Sequence, residues 1–260
     1  MNLLATSFDL GNARACVRAC ADAYQQATVG NATTDTHCLV GEAPDCMIVA
    51  FRGTDSIRDW ITDALFFRKL LVEEANGDQC EVHAGFLAAY ESIIGDLSTF
   101  LGGSPVFKLQ PCKPLFITGH SLGGALAILA ALELKRQGFQ IMQVYTFGQP
   151  RVGNGAFKKL YEWSLGAATF RVVHEEDIVP RVPHLPSFTD FYRHAGTEVL
   201  LSSLGGMVVN PPLYKLLASD AWGLYRAFCV SKFAAALDPI NDHFVANYVA
   251  DVNQLKEEEK

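Results

Sequence analysis

A serine between two glycines is the first candidate for chemistry in this sequence. Ser121 stands in Gly119-His120-Ser121-Leu122-Gly123, with an apolar segment, residues 115–118, before it and a run of small residues after it. This context is typical of a sharp strand-to-helix turn that holds a serine in a strained conformation with its hydroxyl pointing outward. The two glycines leave out side chains that would collide across such a turn. We therefore interpret Ser121 as a nucleophile, and the alternative is a serine that only caps a helix.

A carboxylate for this chemistry is expected later in the chain. A serine hydroxyl becomes a good nucleophile when a histidine takes its proton, and a buried carboxylate orients that histidine. After a turn of this type the acid comes first and the histidine last. Three acids, Glu175, Glu176 and Asp177, follow a predicted strand. Asp177 is preferred because the apolar Ile178-Val179-Pro180 would fix it beside the sheet, whereas the two glutamates are expected to be solvated.

Four histidines follow Ser121 and could act as the base: His174, His184, His194 and His243. His174 lies in or beside the strand that carries the acid, and the next two follow soon after it. Only His243 comes after the predicted sheet is complete, on a loop that leads into a closing helix. We therefore predict His243 as the base, and the alternative is an ordinary surface histidine.

The elements that must position these residues alternate between strand and helix. This alternation predicts an α/β layer fold with a largely parallel sheet. The predicted strands are residues 45–51, 115–118, 143–147, 170–173 and 192–201, and the predicted helices are residues 10–26, 56–70, 85–101, 121–137 and 156–165.

Length and composition are consistent with one globular domain over residues 1–260. A chain of 260 residues, half of them hydrophobic and 19% charged, is long enough for one α/β domain with a substantial core. Residues 204–240 interrupt the alternation and are predicted to be an apolar insertion within that domain. We find no internal repeat and no low-complexity linker.

Charge and hydropathy exclude several classes of function. The net charge of −7 and the lack of any run of Lys or Arg argue against a nucleic-acid surface. The longest apolar stretch, residues 125–132, is too short to span a bilayer. No cluster of side chains has the spacing of a metal site.

The sequence is consistent with two cellular locations for this protein. The first ten residues lack the basic and apolar segments of a signal peptide, which indicates an intracellular protein or a secreted one written from an engineered start. The seven cysteines are an odd number, so at least one must be unpaired within the monomer. We favour buried small hydrophobic residues over a disulfide framework.

Five segments of the sequence, taken together and in order, form a recognisable pattern. They are Phe51-Arg52-Gly53-Thr54, Val82-His83-Ala84-Gly85-Phe86, Gly119-His120-Ser121-Leu122-Gly123-Gly124, Tyr145-Thr146-Phe147-Gly148-Gln149-Pro150-Arg151 and His174-Glu175-Glu176-Asp177-Ile178-Val179-Pro180. On these segments the sequence resembles the class 3 (filamentous-fungal type) triacylglycerol lipases and their feruloyl esterase relatives over roughly residues 10–200 and again around His243. The resemblance implies an α/β-hydrolase fold with a mostly parallel central sheet flanked by helices.

The resemblance also implies roles for individual residues. Ser121 would be the nucleophile, Asp177 the acid and His243 the base. The family's oxyanion residue falls on Thr54, whose backbone N–H and hydroxyl would act with the Leu122 N–H; the alternative for Thr54 is a simple turn residue. The chemistry requires no metal and no organic cofactor.

A short helical lid is the family feature expected after Thr54. Ile57, Trp60, Ile61 and Ala64 fall at helical spacing and would form one apolar face. Such a face would cover the site in water and lie on lipid at an oil–water interface; the alternative is a permanently packed helix.

The implied activity is hydrolysis of triacylglycerol esters through an acyl-enzyme. The alternatives are an esterase for small or aromatic esters, a phospholipase, and a lipase-like interaction protein without catalysis. The insertion at residues 204–240, the missing signal peptide and the odd cysteine count depart from the secreted fungal pattern and indicate a bacterial or otherwise divergent member.

Overall fold

The computed structural model describes residues 1–54, 68–73, 77–103, 113–181, 192–202, 206–212 and 243–256. Within these ranges the chain forms an eight-stranded sheet and a separate two-stranded hairpin. The strands are β1 (Val29–Asn31), β2 (Thr36–Glu42), β3 (Met47–Phe51), β4 (Arg68–Glu73), β5 (Gln79–His83), β6 (Leu115–His120), β7 (Ile141–Phe147), β8 (Thr169–His174), β9 (Thr197–Leu201) and β10 (Met207–Val209). The helices are α1 (Leu10–Asp22), α2 (Ala84–Glu91), α3 (Ile94–Gly103), α4 (Leu122–Arg136), α5 (Gly155–Leu165) and α6 (Val245–Gln254), with 3-10 turns at Gly166–Ala168 and Val179–Arg181.

The large sheet has the strand order β1-β2-β3-β6-β7-β8-β9-β10. The strands from β3 through β6, β7 and β8 to β9 are parallel to one another. Antiparallel strands extend both edges, β2 with β1 on one side and β10 on the other. The predicted mostly parallel α/β sheet is confirmed. The carboxyl ends of its central strands lie along one edge of the sheet, which is where ligands usually bind in such folds.

Two cores lie on opposite faces of this sheet. One is formed with α2, α3, α4 and α5, and the other with α1 and α6. All six residues of β6 are buried, as expected for a parallel strand covered on both faces. Helix α4 is apolar on almost every side because it packs directly under the sheet, and ten of its residues are buried.

Two predicted helices differ from the structure. Residues 68–70, predicted as the end of a helix, lie in β4, which pairs antiparallel with β5 and is joined to it by an Arg68–Glu81 ion pair of 3.0 Å. The remainder of that predicted helix, including the lid residues Ile57, Trp60 and Ile61, lies outside the described residues. The predicted helix 85–101 is split into α2 and α3 at Ser92, whose hydroxyl donates to the Ala89 carbonyl at 2.7 Å and so competes with the helical backbone.

Short edge and hairpin strands were missing from the prediction. β1, β2, β5 and β10 are stabilised by pairing with neighbours rather than by a strong apolar pattern of their own. β10 lies inside the predicted insertion, of which residues 206–212 are described. The predicted strand 192–201 begins only at Thr197, because Gly196 has a positive φ of 85° and turns the chain just before it.

The described cysteines are buried, in agreement with their interpretation as small hydrophobic residues. This holds for Cys16, Cys20, Cys38, Cys46 and Cys80, while Cys112 and Cys229 lie outside the described residues. Among the helices that the structure describes, none combines the length and apolar character needed to cross a bilayer.

Candidate active site

Ser121 occupies a sharp turn between β6 and α4. Its backbone has φ 58° and ψ −130°, a left-handed conformation that costs a non-glycine residue on the order of 1–3 kcal/mol. The turn is tight enough that a Cβ at Gly119 would lie 2.1 Å from the Gly123 carbonyl oxygen. The predicted strand-to-helix turn, and the reason given for its glycines, agree with this geometry.

The Ser121 hydroxyl has the surroundings of a reactive group. Its residue is fully buried, and its Oγ makes no hydrogen bond within the described part of the chain. The Ser121 backbone N–H donates to the Phe147 carbonyl at 2.9 Å, which ties the turn to β7. Leu122 is the first residue of α4, so its N–H belongs to the helix end that has no intrahelical acceptor and favours negative charge.

Asp177 and His243 form a buried pair beside this turn. The His243 Nδ1 lies 2.7 Å from the Asp177 Oδ2, and neither side chain is exposed. Asp177 follows β8 and His243 directly precedes α6, so 66 residues separate them in the chain. The structure thus brings together the acid and the base that the sequence predicts.

Hydrogen bonds keep the Asp177 carboxylate charged. Burial by itself would raise its pKa, but His243 and hydrogen bonds from His243, the Tyr248 hydroxyl and the Val179 N–H hold the pKa of Asp177 below its ordinary value. Val179 N–H donates to Oδ1 at 2.8 Å, and the Tyr248 hydroxyl donates to Oδ2 at 2.6 Å. Three donors therefore hold this carboxylate, two on Oδ2 and one on Oδ1.

This pairing assigns the proton on the His243 ring. A carboxylate only accepts, so Nδ1 carries the hydrogen and Nε2 of the neutral ring keeps its lone pair. The Nε2 atom is buried and makes no hydrogen bond to any described residue. A buried imidazole nitrogen without a partner is suited to take a proton from a hydroxyl such as that of Ser121.

Gly148 packs directly against the Asp177–His243 pair. Its φ is 60°, and a Cβ there would lie 2.7 Å from His243 Cε1 and 2.8 Å from Asp177 Oδ2. Its N–H donates to the Val172 carbonyl at 3.0 Å, so the backbone cannot retreat without breaking its bond to β8. The sequence analysis included Gly148 in a family segment but gave it no role.

We expect Gly148→Ala to displace the Asp177–His243 pair and to lower ester turnover on the order of 10²-fold. The matched control is Gly138→Ala, at another positive φ of 93° where an added Cβ meets nothing within 4 Å. That control should lose about 1–2 kcal/mol of stability through backbone strain but keep its turnover. Equal activity in the two variants would contradict the assignment.

Thr54 lies close to the nucleophile turn through its neighbour Gly53. A Cβ at Gly53 would be 3.1 Å from Ser121 Cβ and 2.9 Å from the His120 carbonyl oxygen. The end of β3 therefore runs alongside the turn, and Thr54 follows it with a half-buried side chain. This placement is compatible with an oxyanion site between Thr54 and the Leu122 N–H.

The other candidate histidines and acids have different partners. His174 Nε2 lies 3.3 Å from Asp251 on α6, and His194 Nε2 lies 2.7 Å from the Pro180 carbonyl, while His184 is outside the described residues. Glu175 and Glu176, which were expected to be solvated, are half-buried. No group of three potential metal-ligating side chains is found within the described ranges.

Two further residues that contact Asp177 were not predicted. The Tyr248 hydroxyl accepts from the His174 N–H at 3.1 Å and donates to Asp177, and burial followed by the Asp177 charge raises the pKa of Tyr248. Arg181 donates to the Asp177 carbonyl and, at 2.8 Å, to the Glu175 carbonyl, which fixes the loop after β8. A tyrosine five residues after the predicted base was the one available signal.

His120, inside the nucleophile motif, is also part of the site. Its ring centroid lies 4.6 Å from that of His243, and burial followed by the neighbouring His243 lowers the pKa of His120 to about 3. The ring is therefore neutral at neutral pH.

The low pKa of His120 makes folding stability depend on pH. An unfolded chain binds a proton there below the ordinary value of 6.5, whereas the folded chain binds it only near 3. The contribution of neutral His120 to the free energy of unfolding is complete above pH 6.5. It is lost as the pH falls, by about 2 kcal/mol between pH 8 and pH 5. Asp177, whose pKa is also lowered, contributes only at more acidic pH.

Urea unfolding at pH 8 and pH 5 would measure this loss. The buried His194 shifts in the same direction as His120, so the wild-type loss includes both residues. A His120→Gln variant cannot titrate at this position and should lose about 2 kcal/mol less over the same interval. An identical pH dependence in the two proteins would contradict the neutral state of His120.

Comparison with known proteins gives consistent matches. The family model described as lipase (class 3) matches residues 48–186. The chain is 37% identical to the secreted mono- and diacylglycerol lipase 1 of Fusarium solani over 60% of this chain and 44% of that protein. It is 40% identical to a Rhizomucor miehei lipase over 72% of this chain and 50% of that protein. The chain thus spans about half the length of these curated relatives.

A solved structure supports the same grouping. A triacylglycerol lipase whose catalytic centre is described as a serine protease triad superposes with a TM-score of 0.60. The two chains are 31% identical, and the match covers 76% of this chain and 82% of the other.

Proposed function

The chain belongs to the class 3 lipase family, and on that premise we propose that it hydrolyses carboxylic esters of acylglycerols with Ser121 as nucleophile. The observation that supports this most directly is the buried His243, whose Nδ1 is bonded to Asp177 at 2.7 Å while its Nε2 has no partner among the described residues. Such a ring can take the proton of a neighbouring serine hydroxyl.

The proposed reaction proceeds through an acyl-enzyme. His243 Nε2 takes the proton of Ser121 Oγ as Oγ attacks the ester carbonyl carbon. The resulting imidazolium is stabilised by the Asp177 carboxylate and then gives its proton to the departing alcohol oxygen. A water molecule then attacks the acyl carbon while Nε2 takes one of its protons, and this proton passes to Ser121 Oγ as the carboxylic acid leaves.

The negative charge of the tetrahedral intermediate needs its own donors. The Leu122 N–H at the start of α4 and the backbone and hydroxyl of Thr54 are proposed to hold this oxygen. Removing one donor of this kind typically costs on the order of 10²–10³ in kcat. No step of this mechanism requires a metal or an organic cofactor.

The proposed substrate class is acylglycerol lipid. The names of the relatives, a mono- and diacylglycerol lipase and a triacylglycerol lipase, support esters of glycerol over other esters. Phe244, next to His243, is 49% exposed and provides apolar surface beside the base. The proposed lid face formed by Ile57, Trp60 and Ile61 would add to this surface at an oil–water interface. The secreted Fusarium relative favours secretion over an intracellular location.

A panel of esters would test this proposal. Hydrolysis is measured on a triglyceride emulsion, a monoacylglycerol, a short soluble ester, methyl ferulate and phosphatidylcholine, with Ser121→Ala as the blank for each substrate. The emulsified acylglycerols should give the highest rates above the blank. If no ester is cleaved above the blank, the hydrolase proposal fails. If cleavage is confined to soluble esters or to methyl ferulate, the acylglycerol part fails; a preference for phosphatidylcholine would instead indicate a phospholipase.

A further inference from the structure

Resting on the proposed function, we propose that His120 and Tyr24 act as positioning residues for the general base. In this proposal His120 holds the backbone of His243 and presents a neutral ring face to its imidazole, while the Tyr24 hydroxyl binds the other ring nitrogen of His120 and stabilises the form that can do both. Neither residue touches the reacting atoms, so their effect is exerted through His243.

His120 contacts His243 in two ways. Its Nε2 lies 2.6 Å from the His243 carbonyl oxygen, and the two rings are 4.6 Å apart with an interplanar angle of 32°. His243 is thus held at its side chain by Asp177 and at its backbone by His120. Two anchors on one residue fix the direction in which Nε2 of His243 points, and positioning errors of about 1 Å can lower a rate on the order of 10²-fold.

The hydrogen bonds of His120 assign a single neutral tautomer. The His243 carbonyl can only accept, so Nε2 of His120 must carry the hydrogen. In a neutral ring Nδ1 is then an acceptor, and the Tyr24 hydroxyl, at 2.9 Å, is the donor that matches it. The opposite tautomer would lose the bond to His243 and set the Nε2 lone pair against the carbonyl oxygen, two acceptors at 2.6 Å.

The neutral state of His120 suits the chemistry of its neighbour. During the proposed reaction His243 becomes a cation, and a second cation stacked on it would oppose that change. Within the described part of the chain, the other groups beside His120 are Asp177, the Tyr248 ring at 5.7 Å and the Tyr24 ring at 6.0 Å, none of which is cationic. The His243 imidazolium therefore stacks on a neutral aromatic ring.

Tyr24 extends this arrangement to the loop before Thr54. A Cβ at Gly53 would lie 2.2 Å from the Tyr24 hydroxyl oxygen, so this hydroxyl rests directly on the backbone beside the proposed oxyanion residue. Tyr24 follows helix α1, whereas His120 ends β6 and His243 precedes α6. One hydroxyl and one imidazole thus connect three separate elements that must keep a common geometry at the site.

The first experiment separates positioning from packing. His120→Leu keeps the apolar volume but cannot donate to the His243 carbonyl, and His120→Gln retains an N–H at a similar reach. We expect kcat on a soluble ester to fall on the order of 30-fold in His120→Leu with KM within about threefold of wild type, and to recover to within about tenfold of wild type in His120→Gln. Wild-type kcat in His120→Leu, or no difference between the two variants, would overturn the proposal.

The second experiment reads the tautomer directly and does not depend on turnover. Long-range ¹H–¹⁵N correlation of the histidine rings should show His120 as a neutral ring with its proton on Nε2 from pH 5 to pH 8. In Tyr24→Phe we expect a population with the proton on Nδ1 and a loss in kcat of about three- to tenfold. The matched control is Tyr161→Phe, which removes a buried hydroxyl bonded to Thr169 at 3.0 Å, away from the site. A protonated His120 at pH 7, or equal losses in kcat in the two tyrosine variants, would overturn the proposal.

These outcomes are distinct from failure of the proposed function. If the wild-type chain cleaves no ester, the hydrolase proposal fails, and the ring spectra still test the assigned tautomer of His120. If the wild-type chain cleaves esters but His120→Leu is unchanged in kcat and KM, only the positioning role fails.

Discussion

Replacing Ser121 by alanine is expected to lower ester turnover on the order of 10⁶-fold, the largest effect of any single change in this chain. The reaction needs an oxygen that can form and break a bond to the acyl carbon, and no other described hydroxyl lies at the strained turn between β6 and α4. The residual rate would come from the remaining oxyanion donors and from substrate binding.

The fold of this variant should stay intact. Ser121 Oγ has no hydrogen-bond partner among the described residues, so its removal breaks no contact of that kind. Reaction with a serine-reactive fluorophosphonate followed by mass spectrometry would measure the loss independently of the substrate. A matched serine variant, Ser92→Ala at the end of α2, should react and turn over as the wild type does. Labelling of Ser121→Ala at the wild-type rate would show that the nucleophile is another residue.

Replacing His243 by alanine is expected to lower turnover by a similar amount and, unlike the serine change, to lower stability as well. The base is lost, and Asp177 is left buried without its 2.7 Å partner. Because the Tyr248 hydroxyl and the Val179 N–H still donate to this carboxylate, we expect the cost to be about 2 kcal/mol rather than that of an isolated buried charge. Ester turnover and urea unfolding at pH 8 would measure the two effects.

The control for the His243 variant is a change at His174, whose carboxylate partner Asp251 is partly exposed. His174→Ala removes a contact to Asp251 at 3.3 Å on the rim of the site and should reduce turnover by less than tenfold. If His243→Ala keeps near-normal turnover, the base must be His174, His184 or His194. If turnover falls but stability is unchanged, the Asp177–His243 pair does not have the strength that its geometry indicates.

Sequence patterns were reliable where the physical cause acts within a few residues. The turn at Ser121 was predictable because a tight strand-to-helix turn excludes side chains at Gly119 and Gly123, and that requirement is visible in five consecutive letters. The buried strands β3, β6, β7 and β8 were predictable because both of their faces are covered, which makes them continuous apolar runs. The edge strands β1 and β10 lack such runs and depend on pairing.

In the candidate site, too, contacts between residues far apart in the chain could not be predicted from local patterns. The order of serine, acid and histidine selected Asp177 and His243 among several candidates, yet their 2.7 Å contact spans 66 residues of chain. No local pattern contains such a distance, because it depends on how β8, the sheet and α6 come together. Tyr248, His120 and Tyr24 went unrecognised for this reason: each is an ordinary residue for its own element.

The sequence by itself therefore determined the tight turn at Ser121, the buried parallel strands and the identity of the family that the chain resembles. Only the tertiary structure decided which groups surround the acid and the base, since these contacts join α1, β3, β6, β8 and α6. The physical reason is that steric requirements of a turn act between neighbours in the chain, whereas hydrogen bonds and burial act between neighbours in space. The turn at Ser121 was therefore predictable from its own motif, whereas the close packing at Gly148 became visible only from the side chains against it.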